Sequence, residues 1–268
     1  MMQSQEKIKA FQERILCHYK KEGRILPWRS TTNPYHIFVS EIMLQQTQVE
    51  RVIPKYNEWI NNFQSPEALA KAPLSEVLKI WSGLGYNSRA KRLQEAAKII
   101  CEKYQGKVPE TVEELISLPG IGPYTARSVL IFAHNKNIAT VDTNIRRILI
   151  HEFALPKETA DKELFELATN ILPKNKSRDW HNALMDYGAT ILTSKVSGIK
   201  PKSTQSTFKE SRRFYRGQII KHLTKNNNIT LNQAKNNFPT CKHNIETIFD
   251  ELLEEGLIVK KNNCFSLP

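Results

Sequence analysis

Cysteine is sparse and scattered in this chain of 268 residues. Its four cysteines, Cys17, Cys101, Cys241 and Cys264, form no CxxC pair, so neither a zinc site nor a short-spaced iron–sulfur motif is legible. Long apolar runs are missing too: none approaches the roughly 18 residues a membrane-crossing helix needs. The opening MMQSQEKIKAFQERI is charged and amphipathic, without the apolar stretch of an export signal. Acidic residues are the third shortage, since 27 Asp+Glu against 39 Lys+Arg leave a formal charge of +12. An intracellular, reduced, soluble protein with a polyanionic partner is expected, the partner being nucleic acid or an acidic membrane surface. The membrane would call for a basic amphipathic helix with exposed aromatics, and none stands out.

What is present is an ordinary globular composition, 40% hydrophobic and 25% charged, enough for one large or two modest domains. The pattern is mainly helical. Ile8, Phe11, Ile15 and Leu16 line one face of a first helix ending near Gly23. HIFVSEIMLQQTQVERVIPKYNEWI reads as a buried helix, and Leu69–Ala72, Val77–Trp81 and Leu93–Ile100 continue the periodicity, with Pro66 and Pro73 at entry points. Strand signals are nearly absent before residue 256. Near residue 194 the composition becomes that of a basic linker, predicted over 194–207 after a first domain spanning 1–193. Residues 208–268 then read as three helices and a hairpin turning at Asn262 and Asn263, a winged-helix-like α+β plan for binding DNA. A helical cap docked on the first domain fits these residues equally well.

LISLPGIGPYTARSVLIFA is the most informative stretch. Gly120 and Gly122 punctuate a tight connection, and Pro123 stands where a helix begins. Backbone N–H groups, and the dipole of the helix that follows, would point at one anion there. This is a helix-hairpin-helix pattern, able to hold a DNA phosphate without reading sequence; a plain αα-turn is the alternative. A second glycine-rich turn, Gly83-Leu84-Gly85-Tyr86, precedes the basic residues Arg89, Lys91 and Arg92, and Arg146 lies in another basic helix start. Gly120, Gly122, Arg89 and Arg146 are the expected phosphate contacts.

Two carboxylates stand out. Asp142 lies between an apolar run and a basic helix start in IATVDTNIRRILI, where an N-cap is the simplest role. Glu41 sits in the apolar IFVSEIML, surroundings that carboxylates avoid unless paired or functional. Desolvation would keep a proton on Glu41, and a helix N-terminus would keep Asp142 ionised. One proton donor and one anion are what cleavage of an N-glycosidic bond needs.

LPWR, PYHIFVSEIMLQQTQVERVIPKY, WSGLGYNSRAKRLQEAA, LPGIGPYTA, VDTNIRRIL and WHNALMDYGA, in that order over residues 26–189, resemble the helix-hairpin-helix (HhH-GPD) DNA glycosylases. SEIMLQQTQV with GLGY resembles their MutY-type adenine branch. The resemblance implies a mainly α, two-lobed glycosylase domain that removes adenine mispaired with 8-oxoguanine or guanine. It also implies roles. Glu41 would protonate adenine, Asp142 would stabilise the sugar cation, and Asn144 would support Asp142. Tyr124 would stand where lyase-type relatives carry Lys, which makes a monofunctional enzyme expected. Arg29 and Asp186 would line the pocket, although Arg29 could instead partner a structural carboxylate. Gln46 and Tyr86 would enter the duplex as the base is extruded; a surface helix residue and a core residue are the plainer readings of these two. The partner would be double-stranded DNA with a mispair or oxidised guanine, bound by a monomer in the cytoplasm or nucleoid, with no membrane role.

Three departures qualify the resemblance. Leu192, Ile199, Lys202 and Phe208 stand where the family places four cluster cysteines, so no cofactor and no metal is expected. Thr143 replaces the usual glycine after the catalytic Asp. No β-rich domain for reading 8-oxoguanine follows. Removal of thymine or uracil opposite guanine is therefore a competing reading, and a non-catalytic DNA-binding protein is another.

Overall fold

A computed structural model describes residues 4–202 and 207–268; residues 203–206, within the predicted linker, lie outside the described residues. The chain is mainly helical. Helix α1 (Gln5–Glu22) starts where the Ser4 hydroxyl accepts the Lys7 N–H, and buries Ile8, Phe11 and Ile15 as their spacing predicts. A 3-10 turn at Pro27–Arg29 leads to α2 (Pro34–Leu44) and α3 (Val49–Asn62). The sequence pattern runs through these two as one helix, but the chain breaks at residues 45–48. No Pro or Gly marks the break; the carbonyls freed at the end of α2 are bound by Arg89. Pro66 and Pro73 stand at the starts of α4 (Pro66–Lys71) and α5 (Leu74–Trp81). There follow α6 (Ser88–Tyr104), α7 (Val112–Ile116), α8 (Pro123–His134), α9 (Thr143–Glu152), α10 (Asp161–Asn170), α11 (Ser177–Thr190) and α12 (Ser194–Ser197).

The chain divides into two compact units. One comprises the described residues of Met1–Ile37, Glu110–Ile116 and Ile121–Thr204. Its core packs α1 against α9 and α11, with Phe11 meeting Phe153 and Trp180 edge-on at 5.3 and 5.5 Å. The other comprises Phe38–Pro109, Ser117–Gly120 and the described residues of Gln205–Pro268. There Trp59 packs edge-on against Phe63 and Trp81, at 4.9 and 5.6 Å.

The C-terminal part of this second unit contains α13 (Arg212–Asn226), β1 (Asn228–Thr230), α14 (Leu231–Asn237), α15 (Ile245–Glu254), β2 (Val259–Lys261) and β3 (Cys264–Ser266). The sheet is antiparallel in the order β1-β3-β2, with Phe265 opposite both Ile229 and Lys260. The hairpin forms as expected, Asn262 taking the left-handed turn conformation. Strand β1 is an addition, because three residues are too short to show a period of two. Its Thr230 also caps α14 through a capping box with Gln233.

Residues 194–202 of the predicted linker carry defined structure. Thr193 caps the short α12, Leu192 and Ile199 are buried in the core of the first unit, and Lys202 pairs with Asp161 at 2.5 Å.

Candidate active site

The hairpin sequence places α7 and α8 in contact within the first unit. Of its two glycines only Gly120 takes a positive φ, +80°. Gly122 caps α8 at φ −96°, a conformation open to any residue. A Cβ added at Gly122 would meet nothing within 4 Å, which leaves the first N–H groups of α8 approachable by an anion. Beside Gly120, and within the second unit, lies a recess lined by Ile42, Gln45, Arg89, Arg92, Leu93 and Pro119. Its volume is about 20 Å³, room for a water or one phosphate oxygen and far too small for a base.

Asp142 is the N-cap of α9, its Oδ1 accepting the Ile145 N–H at 2.7 Å. Asn144 donates to the other carboxylate oxygen at 2.9 Å, and Arg147 donates to the Asn144 oxygen at 2.7 Å. The buried Arg147 is itself fixed by the carbonyls of Gly188 and Leu192, both at 2.7 Å. Gly188 permits this approach: a Cβ there would lie 3.0 Å from the Asn144 Cβ. Burial pushes the Asp142 carboxyl above its ordinary 3.8, outweighing the pull of Ile145, Asn144 and Arg147. Burial thus works against the helix start, which by itself favours the ionised form. The cap is there, but desolvation is stronger.

The segment leading into Asp142 is pinned by a core histidine. His181 donates from Nδ1 to the Ser177 carbonyl (2.7 Å) and accepts the Thr140 N–H at Nε2 (3.2 Å). Burial lowers its pKa to about 4, so the ring is neutral. Tyr124 is half-buried in the first turn of α8.

Arg29 and Asp186 come together in the same unit. Two parallel hydrogen bonds of 2.8 Å join them, and Arg24 adds its backbone N–H and Nε. Burial pushes the Asp186 carboxyl up, but the two arginines pull it below its ordinary value. The two residues expected to line the pocket are thus paired with one another.

In the second unit, Glu41 is buried in the apolar stretch Phe38–Met43. Gln46 and Tyr86 both hold left-handed backbones, with φ of 55° and 46°, and both are exposed. Such conformations cost a non-glycine residue energy and concentrate at functional sites. One residue binds the carbonyl just before each of them. Arg89 reaches across from α6 and donates to the carbonyls of Ile42, Met43 and Gln45 at 2.6–3.0 Å, ending α2 where the sequence shows no stop. It also donates to the Thr47 hydroxyl (2.9 Å) and the Gly85 carbonyl (3.1 Å). Burial lowers the Arg89 pKa to about 10. The expected phosphate role of Arg89 is therefore corrected: it is buried, and both its terminal nitrogens are bound to groups of the protein, while the exposed Arg92 runs alongside Gly120. Arg146 donates to the Lys157 carbonyl.

A family model for HhH-GPD superfamily base excision DNA repair proteins matches residues 39–174, half of the chain. The chain belongs to this superfamily. Among the relatives of this HhH-GPD protein, the adenine DNA glycosylase of Buchnera aphidicola subsp. Baizongia pistaciae is 40% identical over 184 residues, 68% of this chain and 52% of that one. The adenine DNA glycosylase of Mycolicibacterium smegmatis is 41% identical over 196 residues, covering 70% and 66%. The chain thus spans between half and two thirds of the length of these curated relatives. Among solved structures, a thermostable thymine-DNA glycosylase superposes with a TM-score of 0.68 at 34% identity, over 74% of this chain and 91% of that one.

The residues at the family's iron–sulfur positions do not fit a cluster. Leu192 and Ile199 are buried apolar side chains, and Lys202 and Phe208 offer no thiolate. Among the described residues no group of His, Cys, Asp or Glu is placed to hold a metal. Sequence reasoning missed Arg147. Its signal was the Arg146–Arg147 pair beside the apolar run Ile148–Ile150, since neighbours on a helix point about 100° apart and one of them can turn toward the core.

Proposed function

We propose that this HhH-GPD protein is a monofunctional DNA N-glycosylase. It extrudes adenine lying opposite 8-oxoguanine or guanine in duplex DNA and hydrolyses its N-glycosidic bond. The observation that carries this reading is the Asp142 corner: a desolvated carboxylate at a helix start, oriented by Asn144 and through it by Arg147. An anion whose charge is costly at rest gains most when a positive charge develops beside it, as on an oxocarbenium-like sugar. Glu41 protonates the leaving adenine, water adds to the sugar carbon, and an abasic site remains. Tyr124 has no amine, so no Schiff base forms and the strand is left intact. Gln46 and Tyr86 fill the space left by the base. Gly120 and Arg92 hold a phosphate. The protein acts as a monomer without an iron–sulfur cluster, the positions of two cysteines having become apolar core; protein purified in iron-replete medium is expected to carry no stoichiometric iron.

The relatives favour adenine, being 40% and 41% identical and named for it. A second reading, thymine or uracil removal opposite guanine, rests on the 34% identity to a thymine-DNA glycosylase and on Thr143. Base release from duplexes carrying A:8-oxoguanine, A:G, T:G and U:G decides between them. Adenine release from the first two supports the proposal, release only from the last two supports the alternative, and release from none removes both.

A further inference from the structure

The C-terminal domain has the winged-helix layout, in which the helix before the hairpin ordinarily enters a DNA groove. Here that helix is α15, IETIFDELLE, with Glu246, Asp250, Glu251 and Glu254 and no basic residue. Such a helix is repelled by phosphate. Part of its charge is already matched within the domain: Arg212 and Arg216 of α13 bind Glu251 at 2.7 and 3.0 Å, and Arg216 binds Glu255 at 2.6 Å.

The opposite character appears at the start of α13. Phe208 is 55% exposed, and its ring packs edge-on against Phe214 at 5.6 Å. The Arg213 guanidinium lies 5.5 Å from the Phe208 ring and 5.7 Å from that of Tyr86. Its Nη1 donates to the Tyr86 hydroxyl at 2.5 Å. Elsewhere in the same unit α13 packs on α5, and Lys91 donates to the Glu255 carbonyl at 2.7 Å. These contacts fix the domain beside the turn that presents Tyr86.

We propose that Arg213, with Phe208, is a duplex-binding residue for the strand opposite the extruded base, and that α15 does not enter a groove. The proposal rests on Tyr86 filling the vacated space, as the glycosylase reading has it. A residue in that space abuts the unpaired base, and Arg213 is bonded to its hydroxyl. A guanidinium lying over exposed rings combines stacking with a planar fork of donors, the chemistry that suits an unstacked base and its phosphate. The domain thus contributes one cation and one aromatic at the insertion edge in place of a groove-reading helix.

The test uses the full chain and a duplex with non-hydrolysable 2′-fluoro-adenosine opposite 8-oxoguanine, beside a matched duplex. Arg213→Ala is expected to weaken mispair binding by about tenfold and matched binding by less than about threefold, lowering the salt slope by about one. Arg213→Lys keeps the slope but not the mispair preference, and Phe208→Ala lowers that preference with the melting temperature unchanged. Asp250→Asn on α15 leaves both affinities within about twofold. Equal losses on both duplexes in Arg213→Ala, no loss at all, or a tenfold loss in Asp250→Asn overturns the proposal. Base release by the wild-type protein, measured in parallel, separates the two failures. Release without an Arg213 effect sinks this inference alone, and no release from any mispair sinks the reading beneath it as well.

Discussion

Two buried arginines organise the two units in related ways and to different ends. Arg147 in the first and Arg89 in the second each cross to another element and bind its carbonyls. Arg147 passes its charge through Asn144 to a carboxylate, so its hold on Asp142 is electrostatic as well as geometric. Arg89 ends on carbonyls and one hydroxyl, and burial pulls its pKa down to about 10, with no carboxylate among the described residues beside it and only Tyr86 pulling the other way. One arginine tunes a charge; the other sets the shape of two turns. The lesson is that a basic residue in a strongly basic chain need not belong to the charge it presents to a partner.

Removing each arginine separates the two roles. Arg147→Met is expected to lower single-turnover base release by about a hundredfold, the scale of a lost electrostatic support. The sign on pH follows from its pull on Asp142. That carboxyl already titrates above 3.8, and losing a nearby cation raises it further, so the acid limb of the rate profile moves to higher pH. A rate loss with an unmoved acid limb would reduce Arg147 to a packing role. Arg89→Met leaves several buried carbonyls unsatisfied and is expected to destabilise the fold by about 3 kcal/mol, with mispair binding weakened about tenfold and no shift of the acid limb. Denaturant unfolding and fluorescence anisotropy read both. A shifted acid limb in this variant would erase the distinction between the two arginines.

Gly188→Ala sharpens the comparison on the smallest scale. Its added methyl would stand 3.0 Å from the Asn144 Cβ, closer than side chains normally pack. A cost of about 1–2 kcal/mol and a severalfold slower base release are expected, with duplex affinity unchanged.

Local features of the site were legible in the sequence, and tertiary ones were not. The Asp142 cap and the Pro123 helix start rest on neighbours within a few residues, so LPGIGPYTA and VDTNIRR show them directly. The end of α2 depends on an arginine more than forty positions away, which no local pattern records. Arg89 read as a surface cation for the same reason: its charge is visible in the sequence and its burial is not. The Asp142 titration went the other way because a helix start is a local signal, whereas desolvation is the sum of everything packed around it. Strand β1 was hidden by brevity, its three residues pairing with Cys264–Ser266 from the far end of the domain.

The central claim is that Asp142 carries the chemistry at a cost to stability. A carboxyl with a raised folded-state pKa has its stabilising effect at low pH and loses it as pH rises through that value, so ionised Asp142 destabilises the fold at neutrality. The direct measurement is adenine release from an A:8-oxoguanine duplex by Asp142→Asn, paired with its melting temperature at pH 7. The account predicts release reduced by at least about a thousandfold, with a melting temperature equal to or above that of the wild type. Release at the wild-type rate, or a loss of activity that follows a loss of folded protein, would contradict it.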